Sequence, residues 1–337
     1  MNWLRFYLWR AGCPGGARGR AWLTSQPHES RSGPEAQAAL PAGATYCGKE
    51  APRQNRLLAA LPDEAYERLL PHLGPVPLPS GWIIHGAGDR ERYLYFLTEG
   101  IVSRFCETKN GASNEFAVTG SEGVIGLASF LGGGSMPTQA VVLSTGCAYR
   151  LPAVILNREL EHDGPVPRMF LRYIRALITH IGQIAACNRH HPLEQRLCRW
   201  LLSCLDRLPS NELSLTQELI AQMLGVRREG VTEAAGRLQK AGLIHNHRGH
   251  VTVIDRPGLE AHACECYAVI RRAYDQIPRG DDLMANPDVR GRQARTRPNV
   301  TRTSTPARPD AASTNGATVA DDGAGRRDEC GSHLHGD

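Results

Sequence analysis

The chain has 337 residues, with 39 Lys and Arg against 34 Asp and Glu, 35 Gly, 22 Pro and ten Cys. That length allows two domains plus tails, and the net charge of +5 is mild and unevenly spread. The cysteines are scattered, with no Cys-x-x-Cys, which speaks against a zinc ribbon or a disulfide framework.

The first 31 residues hold Arg5, Arg10, Arg18, Arg20 and Arg31 against the single acid Glu29. The opening MNWLRFYLWR is apolar, but Arg5 and Arg10 interrupt it, so it is too short and charged to span a bilayer. Its charges do not precede the apolar run as in a secretory signal. Residues 1–52 are expected to be a disordered basic extension, and residues 278–337, rich in Arg, Asp, Gly, Pro, Thr and Ala, a disordered tail. No membrane association and a cytoplasmic location are expected.

Residues 53–162 have a different texture. A short helix is expected over residues 54–70, followed by short apolar runs separated by Gly, Pro, Asn and Ser. Residues 81–85 lead into a turn at Gly86-Ala87-Gly88-Asp89, and residues 93–97 into a turn at Glu99-Gly100. Further runs fall at 101–107, 115–118, 124–126, 139–143 and 147–151. Short strands at such even spacing predict a β-sandwich or barrel. Gly132-Gly133-Gly134 reads as a loop. His85, His162 and His180 are open as haem ligands, although histidines in such positions are more often core or surface residues.

A helix follows over residues 163–191. Phe170, Ile174, Leu177, Ile181, Ile184 and Asn188 recur at alternating steps of four and three, the spacing of a heptad seam. With about three heptads, burial against the β-domain competes with pairing to a second helix. His190-His191-Pro192 ends the helix and reads as a hinge. Beyond it, Cys198 and Cys204 fall on apolar helical positions and read as small core residues. Cys264-Glu265-Cys266 near His262, and His245, His247 and His250, are closer groups, for which a helix surface and a wing are the plainer readings.

The most telling stretch is SLTQELIAQMLGVRREGVTEAAGRLQKAGL, residues 214–243. Two short amphipathic helices meet at Gly225. Ala221 leaves room where they cross, Gly225 tolerates a positive φ, and Val231 returns to the shared core. Ser214 or Thr216 caps the first helix, Ser214-x-x-Gln217 having capping-box spacing. The second helix turns polar residues outward, so the unit reads as a helix-turn-helix facing a DNA major groove. The expected DNA-contacting residues are Ser214, Thr216, Gln217, Arg227, Arg228, Glu229, Gly230, Thr232, Glu233, Arg237, Lys240 and Arg248. Among these Arg237, Lys240 and Arg248 are assigned to phosphates. Residues 245–254 then read as a hairpin turning at Arg248-Gly249, which makes residues 192–277 a winged helix.

Arg228-Glu229-Gly230-Val231 and the hairpin after it resemble the DNA-binding domain of the Crp/Fnr family of bacterial regulators. Gly81, Leu97-Thr98-Glu99-Gly100 and residues 123–126 resemble that family's cyclic-nucleotide-binding jelly roll. The fold implied is α+β: an N-terminal jelly-roll β-domain, a long dimerisation helix and a C-terminal winged helix-turn-helix. The resemblance implies base reading by Arg228 and Glu229, through guanine O6/N7 and cytosine N4. Glu233 stands where some members carry a third base-reading Arg, so their operator is not transferred. The ligand site departs further. Gly126 is followed by Leu127 where nucleotide-binding members have Glu, and Pro137-Thr138 replaces their Arg-Ser or Arg-Thr. No basic residue lies between Gly126 and Arg150, and burying a phosphodiester without a cation is costly. The expected protein is a homodimeric regulator of double-stranded DNA without catalytic activity, cofactor or metal. Its effector is not cyclic AMP in the usual mode, and RNA polymerase is a further partner left open. The alternative is a cyclic-nucleotide or haem/redox sensor with a non-standard ligand site.

Overall fold

Asn55 organises the start of the folded part. In the computed structural model residues 52–277 are described, except 110, 111, 162, 163 and 248. The expectations for residues 1–51 and 278–337, and those for His162 and Arg248, fall outside the described residues. The one helix expected over residues 54–70 is two: α1 (Arg56–Ala59) and α2 (Asp63–Leu69), with Pro62 at the cap between them. Asn55 is fully buried. Its side chain accepts from the Leu57 and Leu58 amides and donates to Leu97 O and Gly123 O, both at 2.8 Å. One amide side chain thereby caps a helix and ties it to the strand Tyr93–Glu107 and to the residue just ahead of the strand Val124–Ile125.

Six strands follow: β1 (Gly74–Leu78), β2 (Ile83–His85), β3 (Tyr93–Glu107), β4 (Ser113–Thr119), β5 (Val124–Ile125) and β6 (Gln139–Pro152). They form one antiparallel sheet in the order β1-β6-β3-β4, with β2 also on β6 and β5 on β3. No strand was expected at β1, because Pro75 and Pro77 interrupt its pattern. It lies at the edge of the sheet, where missing amide donors cost little. β3 runs through the point where a turn was expected, and β6 joins the two runs expected at 139–143 and 147–151 into one strand. At Glu99-Gly100 the register slips instead, and Gly100 (φ +85°) faces Gly146. A Cβ on Gly146 would stand 2.1 Å from Glu99 O, so two glycines let two bulged strands cross closely.

The strands lead through α3 (Ala153–Leu160) into α4 (Pro165–His190), the long helix. The expected seam mixes two faces of α4. Phe170, Leu177 and Ile184 are buried within their own chain, alongside Met169, Tyr173, Ala176 and His180. Phe170 packs on Phe96 and Phe130. The apolar residues that α4 leaves outside are Leu171 (59% exposed), Ile178 (64%) and Ile181 (37%), with Ile174 half-buried beside them. Both sets repeat every seven residues, so periodicity alone could not choose between them.

His191 ends α4 in an extended conformation, and Pro192 precedes α5 (Leu193–Leu205), as the expected break requires. The rest is β7 (Glu212–Leu213), α6 (Gln217–Leu224), α7 (Arg228–Lys240), β8 (Ile244–His247), β9 (His250–Val253), α8 (Arg256–His262) and α9 (Cys266–Asp275). Strands β7, β9 and β8 form a second sheet in that order. Cys198 and Cys204 lie in this domain's core with Trp200, Ile220, Val231 and Leu238. Burial holds the Cys198 thiol up at about 12. α9 returns to α4, where the Tyr274 hydroxyl meets His180 Nδ1 at 3.1 Å. His180 is therefore an internal hydrogen-bonding group whose burial lowers its pKa well below the ordinary value, and not a free haem ligand.

Candidate nucleic-acid interface

Two helices and a left-handed glycine build the surface. Thr216 Oγ1 accepts from the Leu219 amide at 3.2 Å and so caps α6. Ser214 does not; its hydroxyl lies 3.2 Å from His250 Nδ1 on the wing. Gly225 ends α6 at φ 64°, ψ 40°, with its amide bonded to the Ala221 and Gln222 carbonyls. A side chain there would be strained. Ala221 is buried at the helix crossing.

Val231, Ala234, Ala235 and Leu238 are the buried face of α7. The 3.6-residue period then fixes what faces out. Arg228, Glu229, Thr232, Glu233 and Lys240 are exposed, as is Arg227 at the cap. Thr232 Oγ1 donates to Gln217 Oε1 at 2.6 Å, which joins the N-terminal end of α6 to the outer face of α7. Two of the residues expected at the DNA lie on the edge of α7 that faces α5. Gly230 is half-buried towards α5, where a Cβ would meet Leu193 Cδ2 at 3.0 Å. Arg237 is on the same edge, its Nε donating to Glu194 Oε2. Its side chain remains 56% exposed.

The wing turns through Gly249 (φ +86°), with His247 opposite His250. His245 and His247 stack at 6.1 Å between ring centroids, whereas His250 Nδ1 meets Glu212 Oε1 at 2.7 Å. The three histidines do not converge. Cys264 and Cys266 do converge with other groups, but not where expected. Both are buried rather than on a helix surface, and they gather with Cys187 and His191. His262 bonds Gly258 O instead. The overlooked signal was the i, i+4 spacing of Cys187 and His191.

Inside the roll, Leu127 and Ala128 are buried, and the Ala128 amide donates to Glu91 Oε2 at 2.7 Å. Glu91 also faces His85 Nε2 at 3.5 Å, and burial lowers the His85 pKa. One cation was missed because it lies outside the expected segment. Arg104 of β3 is buried, donating to Tyr173 Oη at 2.9 Å and to Val124 O, with its Nε unpaired. The two domains meet close by. Arg207 of the C-terminal half pairs with Glu122 at 2.7 Å, both largely buried, and Trp200 Nε1 donates to Glu115 Oε1 of β4 at 2.8 Å.

Residues 75–163 match the model of the cyclic nucleotide-binding domain, and residues 195–262 match the Crp-like helix-turn-helix domain. The chain belongs to the Crp/Fnr family. Among curated Crp/Fnr relatives, the fumarate and nitrate reduction regulatory protein of Salmonella typhi is 23% identical over 200 residues, covering 56% of this chain and 77% of that protein. The CRP-like cAMP-activated global transcriptional regulator of Mycobacterium tuberculosis is 23% identical over 206 residues, 59% of this chain and 92% of that one. A Crp/Fnr-family regulator from Eubacterium rectale has the same fold, with a TM-score of 0.52 at 20% identity, covering 62% of this chain and 98% of its own. FixK2 from Bradyrhizobium japonicum scores 0.51 at 18% identity, covering 57% and 98%. This Crp/Fnr protein is accordingly a DNA-binding transcriptional regulator. Among its described residues no helix is long and apolar enough to cross a membrane.

Proposed function

We propose that this regulator binds a near-palindromic operator as a homodimer and responds to a signal other than cyclic AMP held in the usual way. The observation that carries this reading is the outer face of α7. Arg228, Glu229 and Glu233 are exposed there, while the opposite face is packed into the core. Among the described residues none of the three makes an ion pair or a side-chain hydrogen bond. Arg228 and Glu229 read base edges from the N-terminal turn of α7, the part of a recognition helix that goes deepest into the major groove. Thr216 and Gln217 at the start of α6, with Lys240, hold phosphates.

The second copy covers the outer stripe of α4: Leu171, Ile174, Ile178 and Ile181. Gly182 beside it has nothing within 4 Å of a built Cβ, so two such helices can approach closely. Pairing there places two α7 helices for successive major grooves about 34 Å apart. The signal reading rests on the roll. Buried Leu127 stands where the nucleotide-binding pattern has its ribose-binding Glu. The cation Arg104 is already engaged with Tyr173 and Val124. Such a regulator works where the chromosome is, in the cytoplasm.

Competition between duplex DNA and RNA over a range of salt tests the assignment. The expected result is tighter binding to duplex DNA, falling steeply as salt rises. Equal binding to RNA would refute it.

A further inference from the structure

Four potential ligands from two distant stretches meet where the long helix joins the DNA-binding domain. Cys187 is in the last turn of α4, His191 caps that helix, Cys264 lies between α8 and α9, and Cys266 opens α9. Their ligand atoms all lie within 4.8 Å of one another. Cys187 Sγ is 3.5 Å from Cys264 Sγ, and Cys266 Sγ is 3.6 Å from His191 Nδ1. Zinc–sulfur bonds of about 2.3 Å and zinc–nitrogen bonds of about 2.0 Å at tetrahedral angles separate ligand atoms by about 3.5–3.8 Å. An iron–sulfur cluster would need wider spacing, because several irons and sulfides lie between its thiolates.

Two further features point the same way. The second ring nitrogen of His191, Nε2, lies 3.3 Å from Glu265 Oε1. A carboxylate there fixes the tautomer that leaves Nδ1 free to ligate. Arg199 is buried and its Nε has no partner. A buried guanidinium calls for nearby negative charge, which three thiolates around a divalent ion supply.

We propose that Cys187, His191, Cys264 and Cys266 bind one soft divalent ion of the zinc class, pinning the end of α4 to the start of α9. Three cysteine thiols give up their protons to solvent as the ion binds, and no electron is transferred. The net −1 charge of the filled site is balanced by Arg199. The bond network spans the hinge at His191-Pro192, so the ion limits how far the DNA-binding domain can swing from the long helix.

The test uses the full chain, reduced, stripped with a chelator and titrated with cobalt(II) without oxygen. The proposal expects saturation at one equivalent, intense visible bands of tetrahedral cobalt and a thiolate-to-cobalt charge-transfer band, all abolished by added zinc. Cys264→Ser and Cys266→Ser should each weaken binding by about a hundredfold and remove part of the charge-transfer intensity, and Glu265→Gln should weaken it about tenfold. Cys106→Ser, at an exposed thiol outside the group, should change nothing. The wild-type spectrum decides even if a variant fails to fold. Octahedral cobalt without charge transfer, binding unaffected in the Cys264→Ser/Cys266→Ser double variant, a Cys187–Cys264 disulfide, or bound iron with sulfide would each overturn the proposal.

Discussion

Replacing Glu115 with Gln should stabilise the protein, and more so as pH rises. Glu115 is 5% exposed on β4, with Oε1 accepting from Trp200 Nε1 and Oε2 2.7 Å from Ser103 Oγ. Ser103 Oγ is in turn 3.2 Å from Met223 Sδ on α6. Burial pushes this carboxyl up from 4.5 to about 7, against the pull of its hydrogen bonds and of Arg199 and Arg207. The unfolded chain ionises it near its ordinary value, whereas the folded chain holds the proton until about 7. The stability it contributes is therefore complete below the unfolded value and is lost as pH rises through 7. At about 1.4 kcal/mol per pH unit, the full gap is worth about 3 kcal/mol. Gln keeps a carbonyl for Trp200 and an N–H for Ser103, and carries no charge at any pH. Urea unfolding at pH 5 and pH 8, followed by fluorescence, should show the advantage of Glu115→Gln over wild type growing by about 2–3 kcal/mol. An advantage constant to about 0.5 kcal/mol, or a wild type that gains relative stability at pH 8, would refute the reasoning.

Two further outcomes follow from exposed residues. Lys240→Ala should weaken binding to all duplexes alike and lower the slope of log affinity against log salt by about one, as filter binding at several salt concentrations would show. Ile178→Glu, at a 64% exposed position, should leave the far-ultraviolet circular dichroism unchanged while shifting the sedimentation coefficient from dimer to monomer. A monomeric wild type would show that the outer stripe of α4 has some other purpose.

Sequence and structure agree where the constraint is local. Gly225 and Ala221 are demanded by the sterics of one turn and one crossing, and Val231 by the helical period. Those three residues made the helix-turn-helix legible without a partner or a ligand. The wing followed from a short alternating run and a glycine. What stayed hidden depends on residues far apart in the chain. Cys187 and Cys264 are 77 positions apart, and nothing near either announces the other. Arg104 serves the roll from a strand outside the segment in which a cation was sought. Glu115 looks like an ordinary strand carboxylate until Trp200, 85 positions on, closes over it. α4 shows a third limit. It carries two apolar heptad sets, and only the packing of Phe170, Leu177 and Ile184 under the roll shows which set is left for a second copy.

Selection of bound duplexes from a random pool, run in parallel with wild type and Arg228→Ala, bears most directly on α7 as a reader of base pairs. Wild type should enrich a near-palindrome with half-sites about one helical turn apart. Arg228→Ala should lose about 1–3 kcal/mol on that sequence and become indifferent at one position in each half-site. An unchanged preference at every position in the variant, or no enriched sequence with wild type, would contradict the account.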